Sequence, residues 1–168
     1  MNVNEISLRP AKGTADMEVV TTLFLEYAAS LGFSLCFQGL DRELATLPGA
    51  YTPPAGQLLL AEQNDEAVGV VGLRPLHDGG AEMKRLFVRP KARGLKIGLR
   101  LALGIIEEAR KRGYSTLRLE TLHSMAKAQT LYESLGFTPC PPYITEHLPE
   151  AVYLELNLAA STSSSSAF

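Results

Sequence analysis

Seven of the chain's 16 lysines and arginines lie between positions 84 and 100, just before a segment with helical periodicity. Gly94 and Gly98 interrupt this basic stretch, and no acidic residue follows in the first helical turn. The first N–H groups of a helix lack internal partners and carry a partial positive charge. Additional cations are repulsive there unless an anion is bound, and small residues let a phosphate approach the backbone. The pattern indicates a phosphate-binding loop, although a solvated basic turn, in which the glycines serve only backbone geometry, explains the same spacing.

Several motifs that the sequence lacks limit which class of ligand such a loop could bind. The full glycine pattern of a dinucleotide-binding fold is missing, as is the Gly-Lys-Ser/Thr ending of a nucleotide P-loop. The whole chain carries 18 acidic residues and a formal net charge of -2, which does not favour nucleic-acid binding. Phe87 alone among aromatic residues lies within the basic stretch, so stacking platforms for bases are missing. We therefore expect a small anionic ligand and no nucleic acid.

Hydrophobic periodicity places the loop between a strand and a helix of a mixed α/β chain. In chain order, the pattern predicts a strand ending at Pro10, a helix from an N-cap at Asp16 to about Leu31 with Gly32 as its stop, a short helix at "DRELA", a hairpin around "QNDE", a strand through Val88, a helix over 97–111, a strand at "STLRLET", a helix over 124–135 and two late strands. No linker or repeat divides this series. It predicts one domain over residues 1–159, with helices packed on a central sheet, and a Ser-rich disordered tail over 160–168.

Two longer stretches, "EMKRLFVRPKARGLKIG" and "LETLHSMAKAQTLYESLGF", occur in an order and spacing that resembles the GNAT superfamily of acyl-CoA-dependent N-acyltransferases, in particular a small bacterial-type subgroup. The likeness covers most of the chain. It implies an α/β (α+β) fold with a mixed, mostly antiparallel central sheet, helices on both faces, and a splayed pair of strands that holds the cofactor. It also implies acetyl-CoA as cosubstrate, no metal, and an amine acceptor, either a small molecule or a protein lysine.

The family's cofactor signature is Arg or Gln, two residues, Gly, one residue, and Gly or Ala. By this resemblance the pyrophosphate is assigned to Arg93, Gly94, Leu95, Lys96, Ile97 and Gly98, and the pantetheine arm to the strand residues Leu86, Phe87 and Val88. Lys96 departs from the signature, because it occupies the first glycine position. A lysine supplies the same backbone N–H, but its side chain must point away from the phosphates or pair with them.

The resemblance further assigns the acid and base of amide formation. Glu82 begins the strand before the loop, where many family members place a general base that gives the attacking amine its lone pair. Tyr132, in "LYESLGF", matches the tyrosine that protonates the departing sulfur. Each residue also has a structural interpretation. Glu82 could be an exposed strand-edge glutamate paired with Lys84, and Tyr132 a core aromatic whose hydroxyl is bonded to the backbone.

Other reactive side chains give no alternative chemistry. His77, His123 and His147 lack the carboxylate or cysteine spacing of a metal site. Cys36 and Cys140 are interpreted as thiols of a reducing compartment, although a disulfide is compatible with the sequence. Cys140 lies between two prolines without a histidine partner, which disfavours an acyl-cysteine route. No signal peptide or membrane-spanning run is present, so we expect a cytoplasmic protein without a membrane.

The sequence therefore predicts an N-acetyltransferase that moves an acetyl group from acetyl-CoA to a primary amine by direct attack, with no covalent enzyme intermediate. Lys96, and Met125 in place of a common family asparagine, motivate a second hypothesis, a non-catalytic acyl-CoA sensor or interaction module on the same fold. The motifs do not select an acceptor, and a homodimer is compatible with them without being indicated.

Overall fold

The structure is a computed structural model that describes residues 5–31, 39–144 and 150–159. Its elements are, in chain order, β1 (Ile6–Pro10), α1 (Gly13–Ser30), α2 (Leu40–Ala45), β2 (Gln57–Gln63), β3 (Glu66–Pro75), β4 (Ala81–Val88), α3 (Ile97–Lys111), β5 (Thr116–Leu122), α4 (Ala126–Ser134), β6 (Thr138–Pro139) and β7 (Ala151–Asn157). Single 3₁₀ turns at Gly49–Tyr51 and Pro90–Ala92 precede β2 and α3. The predicted order of strands and helices is confirmed.

The seven strands form one sheet in the order β1-β2-β3-β4-β5-β7-β6. All neighbouring pairs are antiparallel except β4 and β5, which run parallel. The hairpin between β2 and β3 turns through Asn64 and Asp65, whose φ angles are 53° and 63°. Asn and Asp tolerate this left-handed conformation well, which is why they favour two-residue hairpin turns. The expected mixed, mostly antiparallel sheet is present.

Helices cover both faces of the sheet, as expected. One face packs against α1 and α2 through a buried cluster that includes Val20, Leu23, Phe24, Leu40, Tyr51, Leu60 and Phe87. The opposite face packs against α3 and α4 through a second cluster that includes Leu59, Val71, Ile97, Leu101, Ile105, Leu119 and Tyr132. Complete burial of a side chain of this size contributes about 1.5–3 kcal/mol. These two clusters hold the sheet rigid between its helical layers.

Helix α1 begins at Gly13, before the predicted start, and Asp16 is not its N-cap. Asp16 instead lies in the first turn, where its Oδ2 accepts hydrogen bonds from the Lys12 backbone N–H at 2.8 Å and from Arg9 Nη1 at 2.7 Å. A carboxylate that reaches back to the N–H before a helix satisfies a group that lacks an internal partner. The Arg9 hydrogen bond, with that of Lys12, lowers the pKa of Asp16 to about 2.

Strands β4 and β5 pair only where both begin, at Ala81 with Leu117 and at Glu82 with Arg118. Beyond these residues β4 continues to Val88 and β5 to Leu122 with no further pairing between them. The two strands therefore separate toward their carboxyl ends. This is the splayed pair that the resemblance implied. The space between residues 83–88 of β4 and 119–122 of β5 is called the strand gap below.

A β-bulge lies in β4 beside the strand gap. Val70 pairs with Phe87 and Gly72 pairs with Lys84, so two residues along β3 correspond to three residues along β4. Within this extra length Arg85 adopts a φ of 60°. One inserted residue reverses the alternation of side chains along a strand. Val88 consequently packs toward α3 and α4, whereas Phe87 packs toward α1. The sequence analysis did not anticipate this reversal.

Some predictions concern residues outside the described ranges. Gly32, Cys36, His147 and the Ser-rich tail at 160–168 all lie there. The domain boundary at residue 159 stays a prediction. Within the described ranges, Cys140 is a free thiol. No helix of those ranges combines the length and apolar character that crossing a bilayer requires.

Candidate active site

The start of α3 presents a row of unpaired backbone N–H groups. From Gly94 to Leu99, no N–H finds an acceptor among the described residues, and the first helical bond runs from the Arg100 N–H to the Lys96 carbonyl at 3.1 Å. No acidic side chain lies in the first turn of the helix. Such a row, reinforced by the helix dipole, is a ready-made anion site. The residues assigned to the pyrophosphate are therefore suited to a diphosphate; we call this stretch the N–H row.

The two glycines of the row have different roles. Gly94 has a φ of 87°, and a Cβ at this position would meet nothing within 4 Å, so only its conformation demands glycine. Gly98 has no such φ. A Cβ there would meet Leu131 Cδ2 and Val88 Cγ2, both at 3.9 Å, which is ordinary van der Waals contact. Gly98 is therefore tolerant of alanine, in agreement with the Gly-or-Ala choice in the family signature, and its small size keeps the N–H row open.

Lys96 is the N-cap of α3 and adopts a left-handed conformation with φ 61° and ψ 25°. This explains why the family signature has glycine at this position, since a residue with a Cβ loses about 1–2 kcal/mol in that conformation. Replacing Lys96 with glycine should raise the free energy of unfolding by about 0.5–1 kcal/mol, after subtracting the greater entropy of glycine in the unfolded chain. Urea denaturation measures the change.

The matched control is Lys111→Gly, which introduces glycine at the last residue of the same helix, where the backbone has the ordinary right-handed conformation. This substitution should lower the free energy of unfolding by up to about 1 kcal/mol, since glycine is a poor helix former. An unfolding midpoint for Lys96→Gly at or below that of the wild type would contradict the strain assigned to Lys96.

The structure reduces the positive charge that is available to an anion. Three of the seven clustered cations form ion pairs with acidic side chains from other elements: Arg85 with Glu43, Arg89 with Glu26, and Lys91 with Glu66. Arg93 donates to the Val88 carbonyl at 3.1 Å and Arg100 to the Ile6 carbonyl at 2.8 Å. Neither guanidinium forms an ion pair with an acidic side chain in the part of the chain that the structure describes. Lys96 is exposed, with no partner in the described ranges. Of the four clustered cations that form no ion pair with a described residue, Arg93, Lys96 and Arg100 flank the N–H row, whereas Lys84 lies further back on β4.

The strand residues assigned to the pantetheine arm border the strand gap. On the β3 side, Phe87 pairs with Val70, and the Arg89 N–H donates to the Val68 carbonyl at 2.8 Å. Backbone groups of a strand alternate between its two neighbours. The N–H of Val88 therefore points into the strand gap, where a ligand amide or a carbonyl oxygen can accept it.

Glu82 lies on β4 at the closed end of the strand gap and is only 1% exposed. Its Oε1 accepts a hydrogen bond from Arg74 Nε at 2.7 Å, and its Oε2 accepts one from the Tyr143 hydroxyl at 2.6 Å. The interpretation of Glu82 as an exposed glutamate paired with Lys84 is wrong, because Glu82 is buried and its ion-pair partner is Arg74, which lies directly opposite it on β3. Burial and the adjacent carboxylate raise the pKa of Tyr143, so this phenol stays protonated.

A second carboxylate near the strand gap was missed in the sequence. Glu120 of β5 accepts a hydrogen bond from the Tyr153 hydroxyl at 2.7 Å. The Tyr153 ring meets that of Tyr143 edge-on, with centroids 5.3 Å apart. The signal for Glu120 was the alternation in "LRLET", which places it on the same face as Arg118, the residue in register with Glu82. The tyrosine pair had no such signal, since its two rings come from separate segments.

Tyr132 of α4 is 7% exposed, and its ring meets Phe137 edge-on with centroids 5.9 Å apart. Within the described ranges its hydroxyl has no hydrogen-bond partner, so the interpretation of a backbone-bonded core tyrosine is wrong. Burial raises the pKa of Tyr132, and the phenol of Tyr27 raises it further. Tyr27 belongs to α1 on the other face of the sheet. Tyr132 thus offers a protonated hydroxyl without an internal acceptor.

Comparison with known proteins identifies the family of this chain. The family model of the acetyltransferase (GNAT) family matches residues 24–137. An uncharacterized N-acetyltransferase of Schizosaccharomyces pombe is 38% identical over 161 residues, which cover 95% of this chain and 99% of the relative. An uncharacterized N-acetyltransferase of Dictyostelium discoideum is 26% identical, with coverage of 84% and 94%.

Solved structures share the fold over almost the whole chain. A GNAT-family acetyltransferase from Staphylococcus aureus Mu50 superposes with a TM-score of 0.77 at 23% identity, covering 92% of this chain and 99% of that one. The yncA acetyltransferase from Salmonella typhimurium, solved with its cofactor acetyl-CoA, superposes with a TM-score of 0.71 at 20% identity, covering 92% and 95%. The segment matched by the family model includes the N–H row, the strand gap, Glu82 and Tyr132. This chain therefore belongs to the GNAT family of acetyltransferases.

Proposed function

We propose that this GNAT protein transfers an acetyl group from acetyl-CoA to a primary amine by direct attack, without a covalent enzyme intermediate. One observation carries the proposal: the N–H row of α3 lies at the end of β4, whose edge toward β5 is open. A ligand with a diphosphate at one end and amides along an extended arm matches this combination. The acetyl-CoA in the yncA structure, which has the same fold, supports the assignment.

The N–H row would hold the diphosphate through main-chain groups, with cationic side chains at its margins. The proposed contacts are the backbone of Arg93, Gly94, Leu95, Lys96, Ile97 and Gly98. Lys96 is exposed, so its side chain has room either to extend into solvent or to reach a phosphate oxygen. Backbone donors at a helix start suit phosphates because they converge on one point and carry the positive end of the dipole.

The open edge of β4 would bind the pantetheine arm in the manner of an added strand. Leu86 and Val88 pack their side chains against the core under α3, which leaves the backbone edge for ligand amides. Main-chain hydrogen bonds of this type give affinity without demanding particular side chains. They would also align the thioester beside the N–H of Val88.

In the proposed reaction Glu82 acts as the general base. An ammonium has no lone pair, so the amine must lose a proton before or during its attack. The Glu82 carboxylate is within hydrogen-bond distance of Tyr143, and Arg74 fixes its orientation. In this proposal the amine proton passes to Glu82 directly or through one water. General base catalysis by a positioned side chain typically contributes about 10²–10⁴-fold in rate.

The N–H of Val88 and the hydroxyl of Tyr132 would stabilise the two charges that develop on the thioester. The N–H of Val88 would donate to the oxygen of the attacked carbonyl, where a preorganised donor contributes about 3 kcal/mol. Tyr132 donates its proton as the sulfur departs, so that neutral thiol leaves instead of thiolate. Its raised pKa keeps the phenol protonated at neutral pH, as this role requires.

An acidic side chain introduced into the N–H row tests the cofactor assignment, because it should weaken coenzyme A binding and yet stabilise the folded protein. Gly98→Asp should weaken coenzyme A binding about 10–100-fold, because a carboxylate at the helix start repels phosphates and covers the N–H groups. The same carboxylate should stabilise the folded protein slightly, since it complements the helix dipole and replaces a glycine. Titration calorimetry and thermal unfolding without ligand measure the two effects.

The control for this substitution is Gly98→Ala, whose Cβ makes only contacts at 3.9 Å. It should retain coenzyme A binding within about threefold, since it adds no charge. Equal affinities for Gly98→Asp and wild type would place the diphosphate elsewhere and refute the N–H row as the cofactor site.

Turnover separates catalysis from the second candidate, a non-catalytic acyl-CoA sensor. That candidate has one observation in its favour, because both carboxylate oxygens of Glu82 already have partners. Release of coenzyme A from acetyl-CoA is measured across a panel of primary amines, with acetylated product identified by mass spectrometry. Amine-dependent release supports the enzyme. Tight coenzyme A binding without turnover on any amine supports the sensor, and an absence of binding excludes both.

A further inference from the structure

Lys84 lies on β4 two residues after Glu82 and is half-buried, with no carboxylate partner among the described residues. The charged groups around it are already matched with one another. Glu43 pairs with Arg85 at 3.0 Å, and Glu82 pairs with Arg74 at 2.7 Å. These two pairs are neutral, so Lys84 adds one unmatched positive charge beside the proposed base.

The environment of Lys84 disfavours the protonated form of its side chain. Burial, followed by repulsion from Arg85, lowers the pKa of Lys84 to about 8, while Glu82 opposes the shift. Lys84 therefore remains mostly protonated at pH 7. A half-buried cation without a counter-charge is unfavourable, and a bound anion would relieve that penalty.

The position of Lys84 excludes the diphosphate as this anion. Lys84 and Val88 are in register with Gly72 and Gly69 of β3. Lys84 therefore lies about 10 Å along the strand from the end that leads to the N–H row. It is instead adjacent to Glu82, beyond the last residue of β4 that pairs with β5. Across the strand gap, Glu120 follows Arg118 by two residues and therefore lies on the same face as Glu82 and Lys84. The end of the strand gap next to Glu82, where the proposed base would meet the acceptor amine, thus has the cation Lys84 on β4 and the carboxylate Glu120 on β5.

Building on the acetyl transfer proposed above, we propose that the acceptor is an amine that also carries a carboxylate, with α-amino acids as its simplest members, and that Lys84 binds this carboxylate. One unmatched positive charge suits a monoanion. The opposite end of the acceptor, its ammonium, faces the carboxylates of Glu82 and Glu120. The ammonium first releases one proton to solvent. The neutral amine nitrogen then bonds to the acetyl carbon and the carbon–sulfur bond breaks, while Glu82 takes the proton that leaves the nitrogen and Tyr132 supplies a proton to the sulfur. Exchange with solvent afterwards removes the proton from Glu82 and returns one to Tyr132.

Matched acceptor pairs test the proposal through turnover. Coenzyme A release is measured for a panel of L-α-amino acids, each beside its carboxamide, which keeps the amine and removes the negative charge. For the accepted side chains, we expect kcat/KM for the acid to exceed that for the amide by about 10–100-fold, the usual value of a charge-assisted hydrogen bond. Lys84→Met, which removes the charge at similar length, should bring this ratio to about one through a higher KM for the acid.

Two further variants separate this role from others. Lys84→Arg keeps the positive charge and should retain preference for the acid. Lys111→Met removes an exposed lysine at the far end of α3 and should leave the ratio as in the wild type. Equal use of acids and amides by the wild type overturns the proposal. So does a Lys84→Met variant whose kcat falls equally for both, which would instead assign Lys84 to the thioester.

Direct binding decides the proposal even if no acceptor in the panel is turned over. The protein saturated with coenzyme A is titrated calorimetrically with the same acids and amides, for wild type and Lys84→Met. If the wild type binds acids more tightly than amides and Lys84→Met does not, the carboxylate site is supported. If no acceptor is turned over, the proposed catalysis is refuted even so. Detectable turnover of neutral amines alone, with no binding of acids, retains the catalysis and refutes the carboxylate site.

Discussion

Replacing Glu82 with glutamine should lower kcat for acetyl transfer by about 10²–10⁴-fold, the usual contribution of a positioned general base. Glutamine has nearly the same shape and still accepts hydrogen bonds through its carbonyl oxygen, so the contact with Arg74 can persist. It cannot take a proton at neutral pH. The loss should therefore appear in kcat, while the affinity for coenzyme A in calorimetry stays close to that of the wild type.

Two comparisons make the result specific for Glu82. Glu107→Gln removes an exposed carboxylate from α3, away from the strand gap, and should leave kcat unchanged. Because Glu82→Gln leaves the charge of Arg74 uncompensated and half-buried, thermal unfolding must also be measured, and rates compared well below the midpoint. If the folded Glu82→Gln protein turns over at the wild-type rate, another group is the base, and Glu120 is then the next candidate to replace.

Replacing Tyr132 with phenylalanine should lower kcat by about 10²-fold or more, since the departing sulfur then leaves without a proton donor. The stability should hardly change. The Tyr132 hydroxyl has no hydrogen-bond partner in the described ranges, so phenylalanine leaves no buried group unsatisfied. A large loss in kcat with an unchanged unfolding midpoint is the combination that distinguishes a proton donor from a packing residue.

The contrasting variant is Tyr114→Phe. The Tyr114 hydroxyl donates to the Ala55 carbonyl at 2.7 Å, away from the strand gap. Its removal should lower the free energy of unfolding by about 1 kcal/mol and leave kcat intact. Unchanged kcat in Tyr132→Phe, whether or not its stability falls as in Tyr114→Phe, would assign Tyr132 to the core alone.

Features that depend on neighbours in sequence were predictable from the sequence. The N–H row is one of them, because it needs only a loop, a helix start, small residues and no acid in the first turn. The start of α1 shows the limit of this reasoning, since Asp16 serves the helix from inside its first turn and is oriented partly by Arg9 of the preceding strand. Boundaries shift when a distant or neighbouring element offers a better partner.

Partners of the site residues were not predictable in the same way. Glu82 meets Arg74 across the β3–β4 pair and Tyr143 from a segment 61 residues away in the chain. Lys84 and Glu82 are neighbours on one face in the sequence pattern, yet Glu82 pairs with Arg74, and Lys84 has no ion-pair partner among the described residues. Pairing of charges is decided by which guanidinium or ammonium lies nearest in the folded sheet. Alternation along a single strand does not contain that information.

By itself, then, the sequence determined the order of the elements, the family resemblance and the anion-binding start of α3, because hydrophobic period and helix-end chemistry act within a few residues. The tertiary structure decided that Arg85, Arg89 and Lys91 are neutralised and that Glu82 is buried. It also leaves the hydroxyl of Tyr132 without a hydrogen-bond partner among the described residues. It also decided where β4 bulges and separates from β5. These outcomes depend on contacts between segments far apart in the chain, which form only when the sheet and both helical layers pack together.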